Sequence, residues 1–331
     1  MQRAAEARLL LGLYCLHILC SALLGAGIDL SPDFYASTCP DVAGIVSRSV
    51  AASSAQSNVV APSILRLFFH DALVQGCDAS ILISSTVDNE AERDFADNKS
   101  LRQEGFDAIE RAKSDVESAC PGVVSCSDIL ALAARDAVVL TGGPNWRVLL
   151  GRQDGLSSSA SSAQGKVPQA NADVQELTSI FSSIGLSPLD IVLLSGAHTI
   201  GFSHCNQIAD RLYNFGASGK SDPSLNPDFA STLEGQCPNG AGDPSTVVPF
   251  DITSPFTFDS NYYVSLQSGK GLLFSDQVLF NDEATRDVVN QLASSSQSLF
   301  FDNFVNSMIA LGNVSSGLPG NVRHVCNTLN P

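Results

Sequence analysis

Residues 64–80 read Ile64-Leu65-Arg66-Leu67-Phe68-Phe69-His70-Asp71-Ala72-Leu73-Val74-Gln75-Gly76-Cys77-Asp78-Ala79-Ser80. On a helix, positions four apart lie on one face one turn from each other, so Arg66 and His70 would point a fixed cation and a titratable base at one spot. Asp71, Gly76, Asp78 and Ser80 follow within ten residues. They offer hard oxygen donors, the ligand type that calcium selects, and a cation held there would anchor the end of the helix. Taken alone, an Arg-His pair at this spacing is more often surface charge or a satisfied core histidine.

Working outward, the chain opens with Arg3 and Arg8, an apolar run from Leu9 to Leu24 and the small residues Gly25-Ala26-Gly27. That layout predicts a signal peptide over residues 1–27 and a secreted mature chain starting near Ile28. No later stretch reaches the ~20 apolar residues of a membrane-spanning helix. About 300 mature residues can bury a large core, as one domain or as two lobes around a ligand. Lys and Arg number 18 against 34 Asp and Glu, a formal charge of -16. This balance argues against nucleic acid as a partner and suits solubility and cation binding.

Of nine cysteines, Cys15 and Cys20 leave with the signal peptide, so seven remain: Cys39, Cys77, Cys120, Cys126, Cys205, Cys237 and Cys326. In an oxidising compartment six should pair and one should stay free or bridge to another chain. Spacing alone leaves the connectivity open.

Helical periodicity dominates the rest. Helices are predicted over Asp41–Gln56, Pro62–Leu73, Gly105–Ala119, Ser127–Leu140, Ala172–Ile184, Pro188–Leu194, Gln207–Tyr213, Asp259–Ser268, Asp282–Ser294 and Phe301–Leu311, with small ribbons near Trp146–Leu150 and Val247–Phe250. Gly155–Gln169 and Gly216–Pro227 read as long connections. A second histidine site, Leu193-Leu194-Ser195-Gly196-Ala197-His198-Thr199-Ile200-Gly201, lies in the other half of the chain. Two histidine sites in two halves suggest two lobes facing each other across one bound group. His204 and His324 read as surface or structural residues.

The stretch at 64–80 closely resembles the distal motif of the secretory plant haem peroxidases (class III), and 193–201 resembles their proximal motif. The similarity runs from Asp33-Phe34-Tyr35 to Cys326 and takes in Val124-Ser125-Cys126-Ser127-Asp128, Gly142-Gly143-Pro144, Gly151-Arg152-Gln153-Asp154 and Asp222-Pro223-Ser224-Leu225-Asn226-Pro227. It implies a mainly α, two-lobed helical haem peroxidase fold with a minor β ribbon. The domain would span 28–331, with a distal lobe over about 28–165 plus a C-terminal return, a proximal lobe over about 166–290, and the haem between them.

What the resemblance implies about residues is specific. His70 and Arg66 would be catalytic, with Asn98 accepting a hydrogen bond from His70 and Glu92 supporting it. His198 would be the axial ligand of one non-covalent protohaem (haem b), with Asp276 of Ser275-Asp276-Gln277 behind it; no Cys-x-x-Cys-His occurs. Pro168 would touch the electron donor. One calcium would bind Asp71, Val74, Gly76, Asp78 and Ser80, and a second would bind Thr199, Asp251, Ser254, Thr257 and Asp259. The implied disulfides are Cys39–Cys120, Cys126–Cys326 and Cys205–Cys237. The family's fourth bridge would join position 72 to Cys77, but Ala72 removes the partner and leaves an unpaired Cys77, expected to be open to oxidation beside an oxidant-handling site.

The implied activity is reduction of hydrogen peroxide through ferryl states, with one-electron oxidation of small phenolic donors, by a monomer delivered to the cell wall space. Two readings from other classes stand beside it. A haem-binding wall protein with reduced or lost turnover is suggested by Ala72, Leu73 and the odd thiol, and a calcium-dependent His-Asp hydrolase would show no Soret band. Asn98-Lys99-Ser100 and Asn313-Val314-Ser315 fit the glycosylation triplet, with Asn313 the better acceptor because Asn98 is claimed by the site.

Overall fold

The computed structural model describes residues 30–240, 245–315 and 317–331. The expected signal peptide, 1–27, lies outside them.

Four helices form the first half: α1 (Val42–Ser54), α2 (Val60–Val74), α3 (Gln103–Ala119) and α4 (Cys126–Leu140). α4 is apolar on almost every side (Ile129, Leu130, Ala131, Leu132, Ala133, Ala134, Ala137 and Val138 are all buried). A helix without a polar face belongs inside, and α1, α2 and α3 pack around it. Ser125 caps its first turn by accepting from Asp128 N at 3.1 Å. α2 and α3 cross closely at Gly105, where a Cβ would meet Leu67 Cδ1 and Ser63 Cβ at 2.9 Å. Only glycine lets α3 approach the helix that carries Arg66 and His70 this tightly.

The second half holds α5 (Val174–Ser183), α6 (Pro188–Ser195), α7 (Ala209–Tyr213), α8 (Pro227–Gln236), α9 (Asn261–Gln267), α10 (Phe274–Asn281), α11 (Glu283–Ser294) and α12 (Gln297–Gly312). Ser187 and Asp190 close a reciprocal cap on α6, with Pro188 in the first helical position. α12 packs on both α6 and α2, so the C-terminal return joins the halves. One large apolar core runs from Tyr35 to Cys326, and a smaller cluster gathers Ile208, Leu212, Phe229, Leu233, Val248 and Leu272.

Buried charge ties loops to this frame. Arg152 bonds Asp128 at 2.8 Å and the Gly312 carbonyl at 2.7 and 2.9 Å, while Asp154 accepts from the amides of Cys126, Ser127 and Arg323. The disulfides Cys39–Cys120, Cys126–Cys326 and Cys205–Cys237 are formed. On the chain-entropy model each stabilises by about 4 to 5 kcal/mol.

Several elements differ from expectation. α2 begins at Val60, ahead of Pro62, because a proline in the first turn gives up an N–H that has no intrahelical partner. α12 begins at Gln297, four residues before the predicted start. α8 and α10 were not expected; the Asn226-Pro227 cap signals α8, since Asn226 Oδ1 accepts from Asp228 and Phe229 amides at 3.1 Å. No strand forms over Trp146–Leu150 beyond a bridge from Leu150 to Ser31. The one ribbon among the described residues pairs β1 (Phe202–His204) with β2 (Val247–Pro249), antiparallel.

Cys77 is unpaired, as Ala72 requires, yet it is 5% exposed and its thiol donates to the Leu311 carbonyl at 3.4 Å. Burial pushes its pKa well above the ordinary thiol range. The expected susceptibility to oxidation is therefore wrong, because reaction needs an accessible thiolate. A thiol reagent should leave native protein unmodified and add one group after unfolding without reductant. Rapid modification of the native protein would contradict this.

Candidate active site

α2 sets the upper wall. His70 is 2% exposed, and its Nδ1 lies 2.7 Å from Asn98 Oδ1. Asn98 in turn donates from Nδ2 to the Glu92 backbone carbonyl at 2.8 Å. With Asn98 oxygen accepting, Nδ1 carries the hydrogen, which leaves Nε2 a free base. Burial, then the charge of Arg66, pushes the His70 pKa down to about 3, against the opposing bond to Asn98. The imidazole is thus neutral at any ordinary pH.

Arg66, one turn earlier, is enclosed by protein, which pushes its pKa down to about 10, yet its side chain stays open to solvent. An enclosed group that water still reaches lines a cleft. One terminal nitrogen donates to Ser100 Oγ at 3.0 Å. Its other donors make no hydrogen bond among the described residues.

A second wall is the turn Gly196–Thr199 that ends α6. His198 Nδ1 lies 2.7 Å from Asp276 Oδ1, and the ring stacks on Phe250 with centroids 4.1 Å apart. The two walls meet where a Cβ on Gly201 would lie 3.1 Å from Pro62 Cβ, in the first turn of α2. From Pro62, His70 is eight residues, or about 12 Å, further along the helix. Both imidazoles keep Nε2 free of partners among the described residues. A group needing one axial imidazole, with a base and a cation on its other side, fits these residues.

The first oxygen cluster follows α2 directly. Asp71 Oδ2 accepts from Ala79 N at 2.9 Å, and Asp78 Oδ1 accepts from Ser80 N at 2.9 Å. Ser80 Oγ donates to Glu92 Oε2 at 3.0 Å. Val74 ends the helix, and Gly76, at φ 82, turns the chain back. Asp71 Oδ1 and Glu92 Oε1 are buried without a hydrogen-bond partner. Burial and mutual repulsion with Asp78 and Glu92 raise the pKa of Asp71 well above the carboxylate range. Burial, then the Asp78 charge, pushes Glu92 up to about 8, against the Ser80 bond.

In the second cluster, Thr199 Oγ1 reaches Asp259 Oδ1 at 3.2 Å and the Thr257 carbonyl at 3.5 Å. Ser254 Oγ lies 3.2 Å from Asp251 Oδ2 and 2.8 Å from Asp259 Oδ2. Among the described residues no group of three or more His, Cys, Asp or Glu is gathered for a metal. The first cluster instead sets Asp71 and Asp78, with Glu92 behind Ser80, among hydroxyl and backbone oxygens, and the second does so with Asp251 and Asp259, a donor set suited to calcium.

Pro168 is half-buried on the loop before α5, and no hydrogen bond or ring contact joins it to either histidine. Sequence reasoning missed Ser100 against Arg66, Phe250 against His198, and Tyr262, whose hydroxyl donates to Asp276 Oδ1 at 3.0 Å. No spacing announces these contacts. Each joins residues from separate elements.

Comparison with known proteins agrees with this geometry. The family model described as peroxidase matches residues 46–295. Peroxidase 55 of Arabidopsis thaliana is 48% identical over 315 residues, covering 95% of this chain and 94% of its own length. Peroxidase 51 of the same plant is 47% identical over 306 residues (91% and 92%), and Peroxidase C2 of Armoracia rusticana is 44% identical over 308 residues (91% and 88%). With matches of this extent and a mainly helical fold, the chain belongs to the peroxidase family and is a haem peroxidase of the plant class III type.

Proposed function

We propose that this peroxidase holds one protohaem between α2 and the Gly196–Thr199 turn, with His198 as axial ligand, and reduces hydrogen peroxide at the expense of small phenolic donors. The arrangement of Arg66 and His70 carries the reading: a permanent cation and a neutral base one turn apart, both with uncommitted nitrogens. A haem held there by His198 would supply the redox chemistry that links two-electron reduction of peroxide to one-electron oxidation of donors. Nε2 of His70 takes the proton from one peroxide oxygen and returns it to the other as water leaves, so it serves as base and then as acid. Asn98 holds the ring for both transfers. Arg66 stabilises negative charge on the departing oxygen, because a guanidinium stays charged and offers several donors. On the other face, Asp276 fixes the His198 tautomer and raises the basicity of Nε2.

Pro168 serves as the donor contact at the cleft mouth. Two calcium ions fill the oxygen clusters, the first through Asp71, Val74, Gly76, Asp78 and Ser80, the second through Thr199, Asp251, Ser254, Thr257 and Asp259. Glu92 then links the first ion to catalysis, since its carboxylate holds Ser80 while its carbonyl holds Asn98. The protein acts outside the cell, where Asn313, exposed at the end of α12, accepts a glycan. Asn98, at 1% exposure, does not. Glycosidase treatment should remove one glycan, and N313Q should abolish it.

Two measurements test the reading. Secreted protein should show a Soret band and, with peroxide, oxidise guaiacol; haem-loaded protein without turnover would sink it. Chelation should also expose the buried acids. A carboxyl whose folded pKa is raised stabilises below its unfolded pKa and loses that contribution as pH rises to the folded value. For Glu92 the window runs from about 4.5 to about 8. Calcium-free protein should therefore lose thermal stability between pH 6.5 and 8, while calcium-loaded protein holds steady. Equal slopes would remove calcium from the first cluster.

A further inference from the structure

α9 places Tyr262, buried at 3% exposure, behind the His198–Asp276 pair. Its hydroxyl donates to Asp276 Oδ1 at 3.0 Å, the same oxygen that receives His198 Nδ1 at 2.7 Å. The other carboxylate oxygen is taken by the Leu273 amide at 3.0 Å. Asp276 is thus held by three donors, and two of them compete for one oxygen. Burial and the Asp276 charge keep the phenol protonated, so it remains a donor. The adjacent Tyr263 is equally buried but sends its hydroxyl to the Val192 carbonyl at 3.1 Å, away from Asp276.

An oxygen that shares its negative charge with a second donor accepts more weakly from the first. The partner of a ligating imidazole sets how much electron density that imidazole gives its metal. We propose that Tyr262 is a positioning residue that tunes the haem iron: by drawing charge from Asp276 Oδ1, it restrains the imidazolate character of His198. This rests on His198 being the axial ligand. Without the Tyr262 hydroxyl, Asp276 would pull harder on the Nδ1 proton and His198 would donate more strongly to the iron, stabilising the ferric state.

The test compares wild type, Y262F and Y263F as haem-loaded proteins, reading the iron–histidine stretch of the ferrous form by resonance Raman and the ferric/ferrous potential by spectroelectrochemistry. Y262F should move the stretch to higher frequency and the potential downward, by a threefold or larger change in the ferric/ferrous ratio, about 28 mV at 59 mV per tenfold for one electron. Y263F removes a buried hydroxyl of the same kind and should move neither. Incorporating 3,5-difluorotyrosine at position 262 keeps the shape and strengthens the donor, so both readouts should shift the opposite way. This arm carries the test if Y262F does not fold. An iron–histidine stretch present in wild type but unmoved by either change at 262, or moved equally by Y263F, overturns the inference alone. Absence of that stretch in wild type overturns the ligand assignment and this inference with it.

Discussion

Replacing His70 with leucine should slow peroxide consumption by about 10²- to 10⁴-fold, the range a positioned general acid–base contributes, while haem stays bound. Its pH dependence should be equally telling. With the His70 pKa near 3, the base is available down to that pH, so the acid limb of the peroxide reaction should sit near pH 3 and not near the free imidazole value of about 6.5. N98D should move that limb upward, because a carboxylate at Nδ1 favours the imidazolium. A limb that stays in place in N98D would separate His70 from the proton transfer. Stability follows the opposite protonation logic to that of Glu92. Between pH 6.5 and 3 the unfolded chain takes up a proton that the native His70 refuses, so His70 lowers stability as pH falls through that window.

Replacing Arg66 with leucine should cost about 10²- to 10³-fold in the same step, the effect of deleting one charged donor from a developing oxyanion. R66K should recover part of it, since an ammonium keeps the charge but offers it from a single point. Stopped-flow measurement of the peroxide step, with donor oxidation followed separately, decides the matter: a loss confined to donor oxidation would place Arg66 at the donor site. Ser100 matters here because it holds one end of the guanidinium in the rest state. That charge-assisted hydrogen bond, worth about 1.5–3 kcal/mol, leaves the remaining guanidinium nitrogens for the charged oxygen.

Much of this site was legible because the information is local. Arg66, His70 and the donors at 71–80 occur in one unbroken stretch, and helical geometry alone puts the first two on one face. The Ser187–Pro188 start of α6 and the isolation of Cys77 by Ala72 are likewise short-range facts. The misreadings have a common cause. α8 and α10 are short helices, the first turning Phe229 and Leu233 to the small second cluster and the second turning Val278 and Leu279 to the main core, so each leaves little periodic signal, and β1 exists only because Val247–Pro249 pairs with it across more than 40 residues. The fate of the Cys77 thiol was misjudged because reactivity depends on burial, which comes from the α12 return and is invisible at positions 72–78.

The sequence by itself determined which chemistry this chain can carry: the cation, the base, the second histidine, the oxygen donors and the odd cysteine are covalent facts with fixed local spacing. Tertiary structure alone decided how those groups behave. Enclosure moves His70 to a pKa of about 3, Glu92 to about 8 and the Cys77 thiol out of reach, and packing of α9 and α10 sets Tyr262 and His198 on one oxygen of Asp276. The physical reason is that charge and hydrogen bonding respond to the dielectric and donors within a few ångströms. Those neighbours are chosen by the folded chain.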